Sequence, residues 1–574
     1  MALRPLLLLV VAALPLFAVA GTVGRDLIER YTTDRDALRR FYDLPLSAAS
    51  LERQGAFLRE WKATLDKLDF GKLDVEDRID ALLLANEVDY GLKRVGVQAA
   101  KNAEIASLLP FAQTVLGLEL DRRNLEPVDP QKAADKVAKL SEEVKALAKR
   151  VEAGLDAKPG ADALTTTPVL ALRAADALGG LRSALDKWFK HYDGYRPDFG
   201  WWVRTPFAGA AKELEAYEKL LREKVAGQKG EPDDPLVGDP LGRDALLVDM
   251  AHELIPYSPE ELVQIAEKEY AWCLAEAKKA AKEMGFGEDW KAALEKVKAD
   301  HVEPGKQDEL VIGLAREAID FVDKHDLVTV EPLCRETWRV DMLSQREQQN
   351  LPFAAYGGQK MLVSFPLESM DNETKLMSMR GNNVHFTRAI THHELIPGHH
   401  LQGYMASRYR PYREALGTPF LVEGWALHWE MLLWDLGFAK SPEDRLGMLF
   451  WRMHRCARIV VSLNFHLGKM KPAEMIDYLV DRVGHERFTA TSEVRRFIGG
   501  NYSPLYQCAY MIGGLQIRAM YRELVGGKKM TPRQFHDAIL HENEMPIVLI
   551  RAALMDEKLP KDFKPTWRFD ADSR

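Results

Sequence analysis

Cysteine is scarce in this chain: Cys273, Cys334, Cys456 and Cys508 are the only four in 574 residues, and no two stand in a CxxC or CxxxxC spacing. That pattern excludes a thiolate zinc cage and a thioredoxin-like redox pair. One or two disulfides would be compatible with an oxidising compartment, but a protein of this size does not need them, and buried small apolar residues are the simpler expectation. Long apolar runs are missing after residue 20, so no later segment reaches the ~18 residues that cross a bilayer. Charge of one sign is missing as well: 78 Lys and Arg are interspersed with 86 Asp and Glu, for a net charge of −8, which argues against nucleic acid as a partner. A GxSxG nucleophile elbow, a phosphate-cradling glycine-rich loop and a dinucleotide fingerprint are all absent, and the enzyme classes they serve are set aside.

What is present begins with MALRPLLLLVVAALPLFAVA, one Arg followed by an apolar run and an Ala18-Val19-Ala20 end. This reads as a cleavable signal peptide over 1–20, giving a periplasmic or secreted protein with no stable membrane span. At 47% hydrophobic and 29% charged residues the composition is that of a soluble globular protein too long for a single core. Two lobes are expected, an N-terminal helical one over 21–245 and a second over 246–574, with the boundary in the Pro/Gly/Asp-rich stretch 226–246. Helical periodicity dominates both, with breaks at 125–130, 156–168 and an aromatic loop over 191–207 that would pack between helices or line a cleft. Between Val328 and Phe365, β-branched and aromatic runs punctuated by Gly predict a small sheet or hairpin.

The pentapeptide HELIP occurs twice, at His252–Pro256 and His393–Pro397. The first copy has no second histidine nearby and is read as structural, on the approach to a helix capped by Ser258 and Pro259. The second lies in a stretch holding five of the fifteen histidines, between His385 and His400. In helical zinc hydrolases two imidazoles bind the metal, the Glu beside the first polarises a water, and a carboxylate from a later helix completes the site. His393, Glu394, His399 and His400 offer the first part, and FLVEGWALHWE offers Glu423 and Glu430 as carboxylates.

HExxH itself is absent, because Pro397 stands four residues after His393. On an unbroken helix His399 would sit ~120° around from His393, and His400 on nearly the same face but ~10.5 Å along the axis. Pro397 cannot complete the helical hydrogen bond and Gly398 accepts unusual backbone angles, so a π-like bulge is expected to bring His399 in as the second ligand, with His400 the alternate. His392 would orient its neighbours or cap the helix, and Glu430 would support the ligands from behind or rival Glu423 as the third.

HHELIPGHHLQ followed by VEGWALHWE resembles the HExxPGHHLQ and EGWAxYxE signatures of the bacterial domain-of-unknown-function 885 proteins, which are grouped with gluzincin-like zinc metallopeptidases. The resemblance implies a mainly α, two-lobed helical metallopeptidase fold with a deep cleft and a small β-sheet beside the active-site helix, to which 356–365 would supply the edge strand. It also implies one Zn²⁺ per chain and peptide substrates, with Glu423 lying 24 residues after His399 as in angiotensin-converting enzyme-like peptidases. Where that family has a tyrosine in its second motif, this chain has His428.

The expected activity is therefore hydrolysis of short peptides, dipeptidyl-carboxypeptidase- or oligopeptidase-like, by a metal-activated water with Glu394 as general base. Tyr502, Tyr506 and Tyr510 share one helical stripe, and Tyr510, which matches the family's YxxG pattern, is expected to donate to the oxyanion. Arg495, Arg496 or Arg518 could meet a substrate carboxylate, and His536 or His541 could face the cleft. Two rival readings use the same residues: a zinc amidohydrolase acting on cell-wall peptides or acylated metabolites, and a non-catalytic metal-binding helical protein of the periplasm.

Overall fold

The computed structural model describes residues 22–569 apart from 157, 159, 232–233, 349–350, 352 and 501, so the expected signal over 1–20 lies outside the described residues. Proline opens helices here more often than it breaks them. Asp129-Pro130, Thr167-Pro168, Ser258-Pro259, Thr418-Pro419, Ser441-Pro442 and Thr531-Pro532 each place a capping side chain against a free N–H with Pro in the first turn. At Ser258 the reciprocal box is complete: its Oγ accepts from Glu261 N at 3.2 Å, and the Glu261 carboxylate accepts from Ser258 N at 2.7 Å.

The chain is mainly helical with one three-stranded sheet, β1 (Arg339–Met342), β2 (Ala354–Tyr356) and β3 (Lys360–Val363), in the order β1-β3-β2. β1 runs parallel to β3 and β2 antiparallel to it. The segment 356–365, expected to be the edge, thus carries the central strand, and the open edge belongs to β2 just upstream. Ser364 N donates to Phe353 O and Gly357 N to Lys360 O, at 2.7 and 2.8 Å. The alternation of the ladder then turns the N–H and C=O of Ala354 and Tyr356 toward the open edge.

Buried apolar residues fall into two clusters. The smaller gathers Leu44 and side chains between Ile105 and Leu221; the larger takes Leu27 to Val88 and resumes at Leu246. In chain order the 226–246 stretch falls between the last residues of the smaller cluster and the resumption of the larger, and the helices Thr22–Phe41, Ala48–Asp66 and Val75–Glu104, which the sequence reading groups within 21–245, contribute to the larger cluster. A buried ion pair anchors the third of them there: Arg413 donates to Asp80 at 2.7 Å and to Glu542 at 2.6 Å, and the Tyr412 hydroxyl donates to Asp80 at 2.8 Å. Amphipathic periodicity identifies the buried face of a helix but not the cluster it enters.

The aromatic stretch 191–207 is helical from Pro197 onward; Tyr192, Phe199 and Phe207 pack into the smaller cluster, with Phe207 stacked on Phe189 at 3.8 Å and Phe199 against Trp188, while Tyr195, Trp201 and Trp202 are exposed. The four cysteines are buried and unpaired. Among the described residues no helix is long and apolar enough to cross a membrane.

Two long helices, Pro419–Asp435 and Tyr506–Tyr521, cross with their backbones in contact. A Cβ on Gly513 would lie 2.0 Å from the Phe420 carbonyl oxygen, and one on Gly424 would lie 2.5 Å from the Gly513 carbonyl carbon. Only glycine permits this approach, which delivers Tyr506 and Tyr510 to Glu423. Gly513→Ala is therefore expected to cost about 3 kcal/mol by forcing the helices apart. Gly117→Ala, where the added methyl meets nothing within 4 Å in mid-helix, should instead be neutral or stabilising by ~0.5–1 kcal/mol. Thermal unfolding of the two variants checks the contrast.

Candidate metal centre

The helix Val384–Glu394 starts at Asn383, whose side chain accepts from His385 N and Phe386 N. It does not continue through a bulge, as expected from Pro397, but stops at Glu394. The chain turns through Leu395–Gly398, with a cis Ile396–Pro397 bond, and a second helix runs from His399 to Ala406. The interrupted backbone finds new partners: Gly398 N donates to His392 O and His400 N to Leu395 O, both at 3.0 Å, and the Trp425 indole donates to Pro397 O at 2.9 Å. The turn is so tight that a Cβ on Gly398 would stand 1.8 Å from the His393 carbonyl oxygen. Its result is that the rings of His393 and His399 lie 4.9 Å apart and nearly perpendicular.

Glu423, on the crossing helix, meets both. Its Oε2 lies 3.5 Å from His393 Nε2 and 3.3 Å from His399 Nε2, and one ligand atom from each of the three falls within 4.8 Å of the others. Zinc bonds of ~2.0–2.1 Å in a tetrahedron put neighbouring ligand atoms ~3.3 Å apart, so the spacing suits one such ion. Glu423 Oε2 is buried and has no hydrogen-bond partner among the described residues. Its other oxygen is occupied by the Tyr506 hydroxyl. Behind His393, Nδ1 donates to Glu430 Oε1 at 2.7 Å, and Arg455 donates to the same oxygen at 3.3 Å. That fixes the His393 tautomer with Nε2 toward the centre.

The electrostatics ask for a cation. Burial opposes a proton on His393, but Glu423 and Glu430 outweigh it and lift the imidazole to about 9. Burial likewise disfavours the charged form of Glu430, yet Arg455 and His393 hold it at about 2. Glu423 is held well below the usual carboxylate range against its burial by His399 and His393. A centre whose carboxylates draw a proton onto an imidazole is one that a divalent ion can fill.

The other sequence candidates sort by position. Glu394 lines the adjoining cavity and has no hydrogen-bond partner among the described residues. His400, the alternate ligand, turns away: its Nε2 lies 2.9 Å from Cys334 O and its Nδ1 3.4 Å from the Tyr356 hydroxyl, so it fastens β2 to the motif. His392 is buried against Phe438 and held near 3 by that burial. Glu430 stands behind His393 and is not in the ligand group. Tyr510 lies nearly parallel to the His393 ring at 6.0 Å. Arg518 pairs with Asp435, and Arg495 lines a separate cavity. His428 and His536 form a buried pair, Nε2 to Nε2 at 3.0 Å, and His541 stacks on Tyr409; none of these three lines the cavity. The first HELIP copy supports the site from a distance, because Glu253 accepts from the hydroxyl of Thr418, the N-cap of the helix that carries Glu423.

The cavity holds about 460 Å³. It is lined by the β2 edge, Ala354, Ala355 and Tyr356, by the His393, His399 and Glu423 group with Glu394, and by Arg455, Arg458, Glu493 and Arg496. Sequence reasoning reaches Arg496 but misses Arg455, Arg458 and Glu493. The signal that could have found them is Arg452, Arg455 and Arg458 at three-residue spacing among the apolar residues between Leu446 and Leu463 of the long helix Pro442–His466.

A family model described as a bacterial protein of unknown function (DUF885) matches residues 33–554. Among solved structures, a candidate lipoprotein of unknown function from Shewanella oneidensis superposes with a TM-score of 0.65 at 19% identity, covering 93% of this chain and 99% of that one. A candidate lipoprotein from Colwellia psychrerythraea gives a TM-score of 0.56 at 15% identity, covering 93% and 98%. At these identities the likeness is one of fold. No curated protein matches the chain.

His393→Ala, His399→Ala and Glu423→Ala are each expected to weaken zinc binding by at least ~100-fold, and Glu430→Gln by ~10–100-fold. Gly398→Ala should rank with the ligand variants although it removes no ligand, whereas His400→Ala should leave zinc affinity nearly unchanged. Competition against a chromophoric chelator measures all six.

Proposed function

The chain belongs to the DUF885 family of bacterial proteins, and from that premise we propose that it is an exported zinc-dependent peptidase hydrolysing short peptides. The observation that carries this reading is the partnerless, buried Oε2 of Glu423, set between two imidazole nitrogens at tetrahedral spacing beside the free carboxylate of Glu394. Zinc held by His393, His399 and Glu423 would supply a Lewis acid and lower the pKa of a water. Glu394 accepts the proton that the attacking water gives up and passes it to the departing amine. Tyr510, its ring flanked by Arg455 and Arg458, donates to the scissile carbonyl oxygen as negative charge develops there. Tyr506 is already spent on Glu423 and serves to orient that ligand.

The substrate class follows from the walls. An extended peptide laid along β2 would add a strand through the outward N–H and C=O groups of Ala354 and Tyr356. A cavity of about 460 Å³ accommodates a few residues and excludes a folded protein, within the ~300–1,000 Å³ usual for small-ligand sites. The fold is accordingly read as a two-lobed metallopeptidase with this cavity as its cleft. Export rests on the apolar leader over 1–20 and on the description of the similar structures as candidate lipoproteins. Hydrolysis of a cell-wall peptide or acylated metabolite would use the same centre, but the open strand edge favours a peptide main chain. A purely metal-storing protein would have no use for Glu394.

Purified protein should contain about one zinc per chain and cleave members of a mixed peptide library. Glu394→Gln should keep the zinc and lose kcat by ~10²–10⁴-fold. A chelator should abolish cleavage, with zinc restoring it. Undiminished turnover by Glu394→Gln would remove the proposed base, and absence of cleavage across the library would remove the peptidase.

A further inference from the structure

Three guanidinium groups line the cavity that holds the metal group. Arg455 and Arg458 sit 4.6 and 4.4 Å from the ring centroid of Tyr510, and Arg496 sits 4.7 Å from that of Tyr502. The side chains of Arg455, Arg458 and Arg496 are only 4%, 3% and 14% exposed, so their charges are largely out of bulk water. Buried charge is tolerated only when it is matched. Glu430 faces Arg455 at 3.3 Å, and Glu493 takes a hydrogen bond from Arg458 at 2.8 Å and stands 3.7 Å from Arg496. Burial and Arg458 hold the neighbouring His454 well below the usual imidazole range, so it adds no charge.

The three arginines thus contact two carboxylates, one of which, Glu430, is shared with His393, so among these contacting groups one positive charge is left over. Their donors are not exhausted either. Arg455 Nε, Arg458 Nη1 and Arg496 Nε are buried without hydrogen-bond partners among the described residues. The faces of Tyr510 and Tyr502 offset part of this cost through their quadrupoles, but a ring neutralises nothing.

We infer that this arginine-lined part of the cavity is a carboxylate subsite, which binds the free C-terminal carboxylate of a peptide one or two residues beyond the bond at the metal centre. The inference rests on the peptidase reading above and deepens it: the enzyme removes one or two residues from a free carboxyl end. The spacing is right for that. The Tyr510 ring lies 6.0 Å from the His393 ring and also packs against two guanidinium groups, 4.6 and 4.4 Å from its centroid. Two residues of extended chain span ~7 Å. Arg458 and Arg496, already bridged by Glu493, present the fork geometry that carboxylates match.

The test uses the full-length Glu394→Gln protein, which holds a peptide without consuming it. Calorimetry compares acetyl-tetraalanine as the free acid, as the C-terminal amide, and as an amide whose last residue is Glu. The free acid should bind at least tenfold more tightly than the amide, and an added Arg496→Gln or Arg458→Gln change should bring the two within about twofold. Arg496→Gln is the safer variant, since Arg458 still pairs with Glu493 there. If the Glu-ended amide matches the free acid, the subsite takes acidic side chains, and the C-terminal assignment is overturned. No acid-over-amide preference, or one that survives both arginine changes and disappears with a chelator, overturns the subsite altogether. Cleavage of acid and amide peptides by the wild-type protein at equal kcat/KM would sink this inference and leave the peptidase standing. An arginine-dependent preference without any cleavage would remove the peptidase and overturn the trimming assignment, leaving only a binding site for carboxyl-ended peptides.

Discussion

The contact between the His393 carbonyl and the α-carbon of Gly398 sets the geometry of everything around it. On a continuous helix His399 would point ~120° away from His393. Because the residue at 398 has no side chain, the chain can fold back against the carbonyl of a residue five positions earlier, and the two imidazoles end up edge to face. The backbone groups freed by the break are re-paired at once, by Gly398 N, His400 N and the Trp425 indole, so the interruption leaves few unmet polar groups behind.

Around that turn, the charges form one continuous chain. Arg455 meets Glu430, Glu430 meets His393, His393 and His399 face Glu423, and Glu423 meets Tyr506. These residues come from several helices, and no single helix could hold them at these distances. The crossing at Gly424 and Gly513 is what lets the last two meet, in the same manner as the turn at Gly398: a backbone approach that any side chain would block. Rigidity at the centre therefore comes from main-chain packing, and the ion pairs then select protonation states within a frame already built.

Much of this was legible in the residues. The histidine density, the glutamate of the second motif and the proline where a helix should continue pointed to His393, His399 and Glu423, and the structure brings those three together. Capping signals located helix starts such as Ser258, because they depend on three or four neighbouring residues. What sequence could not convey depended on partners far along the chain. The expected bulge proved to be a full break; the edge strand lay at Ala354–Tyr356 and not within 356–365; and the first three helices joined the larger core, the third of them through Asp80 and Arg413, 333 positions apart. Tyr506 and Tyr510 looked alike on their shared stripe, and only the position of Glu423 separates their surroundings. The repeated HELIP misled differently, since the same five residues serve one helix as support and another as its terminus.

The open edge of β2 carries a consequence for diet. On the peptidase reading, recognition through N–H and C=O groups would be blind to what a residue carries beyond its α-carbon, so one cavity would process peptides of many compositions. The same blindness has one exception. A substrate with an imino acid where Ala354 or Tyr356 expects a donor brings no N–H to the ladder, and such sequences would accumulate uncut while their neighbours are consumed.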